Sequence, residues 1–181
     1  MQIFARYHLT TTLKTWINQL AWDASRNLSE QFSQFCLIVG QPIIDPNFWI
    51  VPFTLDDASG GLSISPNCDI SAGVQLYTHS TIRQTISDNE LPIERAETTI
   101  EENVYIGAGA IVLMGVHIGH HSVIAAGTVV PQYVTVPPWS LVIGIPGRIQ
   151  HDAAHQFGLP DPRLPRNQWF KLQLDLNLIL I

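Results

Sequence analysis

The sequence predicts an all-β solenoid, a chain coiling as short parallel strands, and three observations carry that expectation. Aliphatic residues recur six apart at Ile64, Ile70, Leu76 and Ile82, and again at Ile100, Ile106, Val112, Ile118, Ile124, Val130, Val136 and Val142. The residue after the aliphatic is often small, as at Ser65, Ser71, Gly107, Gly119 and Ala125. A second small or apolar residue follows at the fourth position, as at Cys68, Val74, Val104, Ala110, Val116, Ser122 and Thr128. A six-residue period suits neither a helix nor an ordinary hairpin, whereas a coil can place one aliphatic per strand inside and a small residue at each tight corner. Each rung buries little alone, so the stacked rungs share one column of core.

Three segments follow from the pattern. Residues 1–45 form an N-terminal helical segment, because Leu13, Trp16, Ile17, Leu20, Ala24, Leu28, Phe32 and Phe35 fall at steps of three and four on one amphipathic stripe. Its polar face is poor in Lys and Arg, so the stripe is expected to pack on the protein and not on a membrane. Pro42 and Pro46 push the chain before them towards extended conformations and close the helix. Residues 46–150 are the coil. The beat lapses between Ile82 and Ile100, and the polar stretch there is expected to be an excursion loop over about 83–99. Residues 151–181 are a Pro-rich linker followed by a tail in which Leu172, Leu174, Leu176, Leu178 and Leu180 alternate as in a strand with one buried face.

The chain has 181 residues, 46% of them hydrophobic, enough for one domain with a core. A net charge of −6 argues against nucleic acid as a partner, since that affinity comes from Lys and Arg displacing counterions. The two cysteines, Cys36 and Cys68, suggest neither a disulfide framework nor a zinc finger. No continuous apolar leader opens the sequence and the apolar tail is too short for a membrane span, so a soluble cytoplasmic protein is expected.

The stretches "ISPNCDISAGVQLYTH" and "TIEENVYIGAGAIVLMGVHIGHHSVIAAGTVVPQYVTVPPWSLVIGIPGRI" resemble the hexapeptide-repeat acyltransferases over roughly residues 50–150. The resemblance is to the branch with sugar O-acetyltransferases and xenobiotic acetyltransferases. It implies a left-handed parallel β-helix, a homotrimer, and acetyl-CoA as cosubstrate in the groove between subunits. It also implies that His79 is the general base, a neutral imidazole taking the proton of an acceptor hydroxyl or amine as that atom attacks the thioester. Direct transfer without an acyl-enzyme is expected, because no Cys or Ser near His79 has an obvious activating partner.

By position the resemblance assigns the acetyl-CoA groove to Ala108, Ala126, Pro131 and Arg148, with Arg148 facing CoA phosphate. Thr and Lys are frequent in the family where this chain has Pro131 and Gln132, which thins the expected phosphate contact. On the acceptor side the family often has an acidic residue directly after the histidine, but Ser80 stands here. Glu97, three repeats along, is one candidate for orienting His79 and a backbone carbonyl is another. Asp56 and Asp57 are candidates for hydrogen bonds to sugar hydroxyls, although Asp-Asp before Ser-Gly-Gly is also ordinary turn chemistry. The expected acceptor is a small molecule, a sugar or glycan precursor.

Two rival readings use the same coil. A gamma-type carbonic anhydrase would need three convergent histidines on zinc, and His79, His117, His120 and His121 are available. Counting in sixes puts them on different faces and corners, so no metal site is expected. A non-catalytic trimeric scaffold would leave the Thr78-His79 and Gly144-to-Arg148 motifs without a purpose.

Overall fold

The structure, a computed structural model, describes residues 36–45, 47–51 and 53–157. The expected N-terminal amphipathic stripe and the alternating C-terminal tail lie outside the described residues. The chain winds as a parallel β-helix with three faces, one strand per face in every turn. The first turn is β1 (Leu37–Gly40), β2 (Ile43–Ile44) and β3 (Trp49–Ile50), and the second is β4 (Leu55–Ala58), β5 (Leu62–Ile64) and β6 (Asp69–Ile70). The third begins with β7 (Gln75–Leu76) and is interrupted by a hairpin of β8 (His79–Ser80), the short helix α1 (Ile82–Ile86) and β9 (Glu94–Arg95). It resumes with β10 (Thr98–Ile100) and β11 (Tyr105–Ile106). The fourth turn is β12 (Ile111–Val112), β13 (His117–Ile118) and β14 (Val123–Ile124), and the fifth is β15 (Val129–Val130), β16 (Thr135–Val136) and β17 (Leu141–Ile143).

Parallel register explains why a six-residue beat builds a core. Thr99 pairs with His117 and His117 with Thr135, partners 18 residues apart, so each residue sits above its equivalent one turn earlier. Every third hexapeptide therefore feeds one face. Within each strand successive side chains alternate in and out. The inward residues Ile64, Ile70, Leu76, Ile100, Ile106, Val112, Ile118, Ile124, Val130, Val136 and Val142 are all at most 1% exposed.

The corners use a second device. Positive φ recurs in vertical columns: Asn67, Asn103, His121 and Trp139 at the corner between the second and third faces, and Gly73, Gly109 and Gly127 between the third and first. Asn and Gly tolerate the left-handed region, and the backbones bond from turn to turn, as in His121 N to Glu102 O and Gly127 N to Ala108 O. Gly107 answers a different need. A Cβ there would lie 2.5 Å from the Ala126 nitrogen, so the small residue after the aliphatic lets the next turn close down on the last.

Two readings of the beat are corrected. Ile82 keeps the six-residue step but opens α1 and is 66% exposed; the rung above Ile64 is filled by Ile100, because Ser63 pairs with Thr99, 36 residues on. The chain thus leaves the coil at His79 and is back on it by Thr98, an excursion starting earlier than the lapse in the beat suggests. After β17 the chain reverses into β18 (Arg148–Gln150), antiparallel to β17, and a 3-10 helix at Ala153–Phe157. The start of the expected extended linker is therefore helical. Ala154 and Phe157 pack on Tyr105, Val123 and Leu141, the outward side chains of the third face.

Asp56 is the exception in the interior. In β4 it pairs with Leu76, an inward residue, and it is fully buried. Its Oδ2 is 3.4 Å from the Thr54 hydroxyl and its Oδ1 has no hydrogen-bond partner. Burial, opposed by the Thr54 hydrogen bond, pushes its carboxyl up to about 6. The expectation that Asp56 reaches a substrate is thereby corrected, since its carboxyl points into the core. The folded protein holds this proton more tightly than the unfolded chain does, so stability should be fullest below the ordinary carboxylate pKa and fall as pH rises towards about 6. Asp56→Asn should remove that decline, which is worth up to about 3 kcal/mol, and urea midpoints measured between acidic and neutral pH would check it.

Candidate active site

The hairpin leaves the coil at the corner between the first and second faces, and His79 is its first strand residue. Alternation in β4 sends Asp57 to the opposite side from Asp56, outwards, where His79 and Thr78 cover it. Asp57 Oδ2 lies 2.6 Å from His79 Nδ1, with the aspartate side chain 3% and the imidazole 36% exposed. Three more groups hold the carboxylate. The Thr78 amide donates to Oδ2 at 2.9 Å, the Ser59 amide to Oδ1 at 3.0 Å, and the Thr78 hydroxyl lies 3.2 Å from Oδ2. Burial by itself pushes the Asp57 carboxyl up, but hydrogen bonds from Thr78, Ser59 and His79 outweigh it and hold the group well below the usual carboxylate range.

An ionised carboxylate only accepts hydrogen bonds, so Nδ1 carries the hydrogen and Nε2 is left with its lone pair. The Ser59 hydroxyl oxygen flanks the same Nδ1 at 3.3 Å. What results is a partly exposed imidazole held through Nδ1 by Asp57 and flanked by Ser59, with the lone pair left on Nε2. Such a group can take a proton from a molecule placed against it.

Thr78 and Gly60 build the floor. The Thr78 hydroxyl donates to the Asp57 carbonyl at 2.8 Å and accepts from the Gly60 amide at 2.8 Å. Glu97 is not the orienting group. It is exposed at the point where the hairpin returns, and its Oε1 is 3.4 Å from the Ser63 hydroxyl. Nor does Asp57 face an acceptor, since its oxygens are taken up by His79, Thr78 and Ser59.

The other histidines lie elsewhere. His117, on the second face, has its Nε2 3.0 Å from Glu101 Oε1, and the same carboxylate's Oε2 accepts from the His120 amide at 2.8 Å. His121 stacks on Trp139 at 4.3 Å and Trp139 on His155 at 4.0 Å, tying the 3-10 helix to the corner. Among the described residues no group of three or more His, Cys, Asp or Glu side chains is placed to hold a metal ion.

The residues expected along the acyl donor divide between the two ends of the first face. Ala108 and Ala126 stack at its entry corner, where Gly127 bonds to the Ala108 carbonyl. The turn from Gly144 to Gly147 folds onto the same end, with the Gly147 amide donating to the Val129 carbonyl at 2.7 Å, and Arg148 follows it, exposed. Pro131 lies just past the other end of β15, on the His79 side. One chain therefore does not bring all four to His79.

Residues 97–132 match the family described as hexapeptide repeat of succinyl-transferase. A serine acetyltransferase of Staphylococcus aureus is 31% identical over 165 residues, covering 87% of this chain and 73% of that protein. The chain belongs to the hexapeptide-repeat acyltransferases. A serine acetyltransferase of Bacillus subtilis is 32% identical over 126 residues, 65% of this chain and 55% of its own length, so the chain spans about half of some relatives. In fold it is similar to AntD, an N-acyltransferase from Bacillus cereus solved with dTDP and 3-hydroxybutyryl-CoA. The TM-score is 0.56 at 18% identity, over 80% of this chain and 73% of that one.

In this hexapeptide-repeat acyltransferase the sequence offered His79 but not its support. Asp57 precedes His79 by 22 residues, and only the turn length of the coil could have paired them. Gly60 was equally silent. A Cβ at Gly60 would lie 2.1 Å from the Thr78 carbonyl oxygen, backbone that cannot swing aside. Gly60→Ala should lower stability by about 1–3 kcal/mol, read as a reduced urea midpoint, because the strand carrying His79 must shift.

Proposed function

We propose that the chain is an acetyl-CoA-dependent acetyltransferase that moves the acetyl group directly to a hydroxyl of a small acceptor, with His79 as general base. The pairing of His79 with Asp57 carries this reading. Asp57 accepts from Nδ1 and holds the imidazole with Nε2 towards the acceptor. His79 Nε2 takes the hydroxyl proton as the oxygen attacks the thioester carbonyl, and returns it to the sulfur as the carbon–sulfur bond breaks. Asp57 stays ionised and steadies the imidazolium while it carries that proton. Neither a covalent acyl-enzyme nor a metal ion is needed. The acceptor is a sugar or glycan precursor, and serine, the compound in its relatives' names, belongs in the same screen.

The working unit is a homotrimer of left-handed coils in the cytoplasm. The outward side of the first face supports this: Leu37 and Val39 are 58% and 44% exposed, and Leu55, Ile111, Leu113 and Val129 are half-buried. The second face turns Ser63, Thr99, His117 and Thr135 outwards, with an aliphatic, Ile43 at 70% exposed, in its first turn alone. An aliphatic face is suited to another copy, and closed symmetry would set one subunit's Ala108–Ala126 corner against a neighbour's His79 corner. Acetyl-CoA would then lie between them, with Arg148 at its phosphates.

Thiol release from acetyl-CoA, screened against sugars, nucleotide sugars and serine, tests the activity. His79→Ala should lower kcat by about 10² to 10⁴ while CoA affinity is kept. Asp57→Asn should lower kcat too, because an amide donating to Nδ1 selects the wrong tautomer. Turnover untouched by His79→Ala would refute the mechanism. Light scattering should give the mass of three 20.1 kDa chains, and a monodisperse monomer at micromolar concentration would count against a shared groove.

A further inference from the structure

His79 opens the hairpin at one particular corner column, between the first and second faces. Stepping by 18 from His79 through the excursion gives Glu97, where the hairpin returns, then Gly115, then Tyr133; Gly61 stands one step below. Gly61 and Gly115 have φ of +101° and +74°, so the coil fills this column with glycine where it can. Tyr133 breaks the habit. It adopts φ of +61°, which for a residue with a Cβ costs roughly 1–2 kcal/mol.

Two other bulky residues with positive φ, His121 and Trp139, have a visible purpose. His121 stacks on Trp139, and Trp139 on His155. Tyr133 has no ring partner and no side-chain hydrogen bond among the described residues, and it is 59% exposed. Its ring is nevertheless seated. It lies across Gly115, where a Cβ would come within 2.5 Å of Cδ1 and 2.8 Å of Cε1. One side of the ring is thus bedded on a glycine notch and the rest faces solvent, a fixed aromatic platform.

Its place in the column says what it serves. Adjacent turns are separated by about 4.8 Å, which puts the Tyr133 backbone about 10 Å above that of His79 along the coil, before the several Å that the side chain reaches outwards. Pro131 and Gln132 immediately precede it. Resting on the proposed acyl-CoA reaction, we infer that Tyr133 is a binding platform for the adenine of the acyl-CoA, stacking on it while the thioester lies at His79. Exposed aromatic rings take up bases in this way without hydrogen-bond readout, and a ring already fixed in place loses little freedom on binding.

The test compares whole and truncated donors. Binding of CoA and turnover of acetyl-CoA and of acetyl-pantetheine, which lacks the nucleotide, are measured for the wild type, Tyr133→Phe, Tyr133→Ala and Tyr133→Gly. Tyr133→Ala should weaken CoA by about five- to 150-fold, the range for loss of a stacked base, and raise KM for acetyl-CoA similarly. KM for acetyl-pantetheine should not move, and Tyr133→Phe should keep CoA affinity within about twofold. Tyr133→Gly relieves the backbone and should lose CoA affinity without losing thermal stability, which separates the contact from a folding defect. Unchanged CoA affinity, or an equal loss with both donors, would overturn the assignment and leave the transferase standing. A wild type that neither binds CoA nor uses either donor would overturn both.

Discussion

Everything in this molecule hangs on the parallel hydrogen-bonded register that puts each residue over its equivalent one turn earlier, 18 positions back in the later turns and 20 between β4 and β7. That register turns a six-residue beat into columns, and a column can be apolar or lined with residues that bear positive φ. Inward columns are aliphatic, and where they hold Ser122 or Thr128 the hydroxyls are spent on backbone, bonding Pro137 O and Val142 O. Corner columns collect residues that bear positive φ. The same stacking brings Asp57 to His79, since the first-face strands β4 and β7 lie side by side.

Two adjacent carboxyls show how sharply a strand can divide environments. Asp56 and Asp57 are neighbours in sequence, and both are buried. Asp56 pairs with the inward Leu76 and has one oxygen unpaired, and burial makes it hold its proton up to about pH 6. Asp57 faces amides, hydroxyls and an imidazole, and its proton is lost. Burial opposes charge in both; the difference is how many donors meet it. Opposing proton affinities in one site can mark acid–base machinery, but here the inward member meets only Thr54 and the outward one alone touches His79.

The coil was readable because its signal repeats. Ile64, Ile70, Ile100 and the rest are each weak, and together they could not be a helix or a hairpin. Ile82 misled because the excursion happens to last 18 residues, a whole turn, so an aliphatic at its start kept the step without belonging to the core. His79 was readable through the motif around it. Asp57 was misassigned because the roles of two consecutive aspartates depend on which faces inwards, and β4 begins where the beat is faintest. Tyr133 left no trace, since a left-handed tyrosine is written with the same letter as any other.

The hairpin stem has a consequence of its own. The Ala96 amide donates to the Thr78 carbonyl at 3.0 Å, and β8 and β9 run antiparallel, so the chain comes back to the point at which it left. The excursion is a closed ring hung on the solenoid, and its length is invisible to the core. Doubling such a ring costs only about 0.6 kcal/mol of closure entropy. A single residue added inside a rung would instead turn its aliphatics outwards. Over evolutionary time the two parts are therefore free to drift at very different rates. The coil is held to its count, while the ring beside His79 can lengthen, shorten or be exchanged whole.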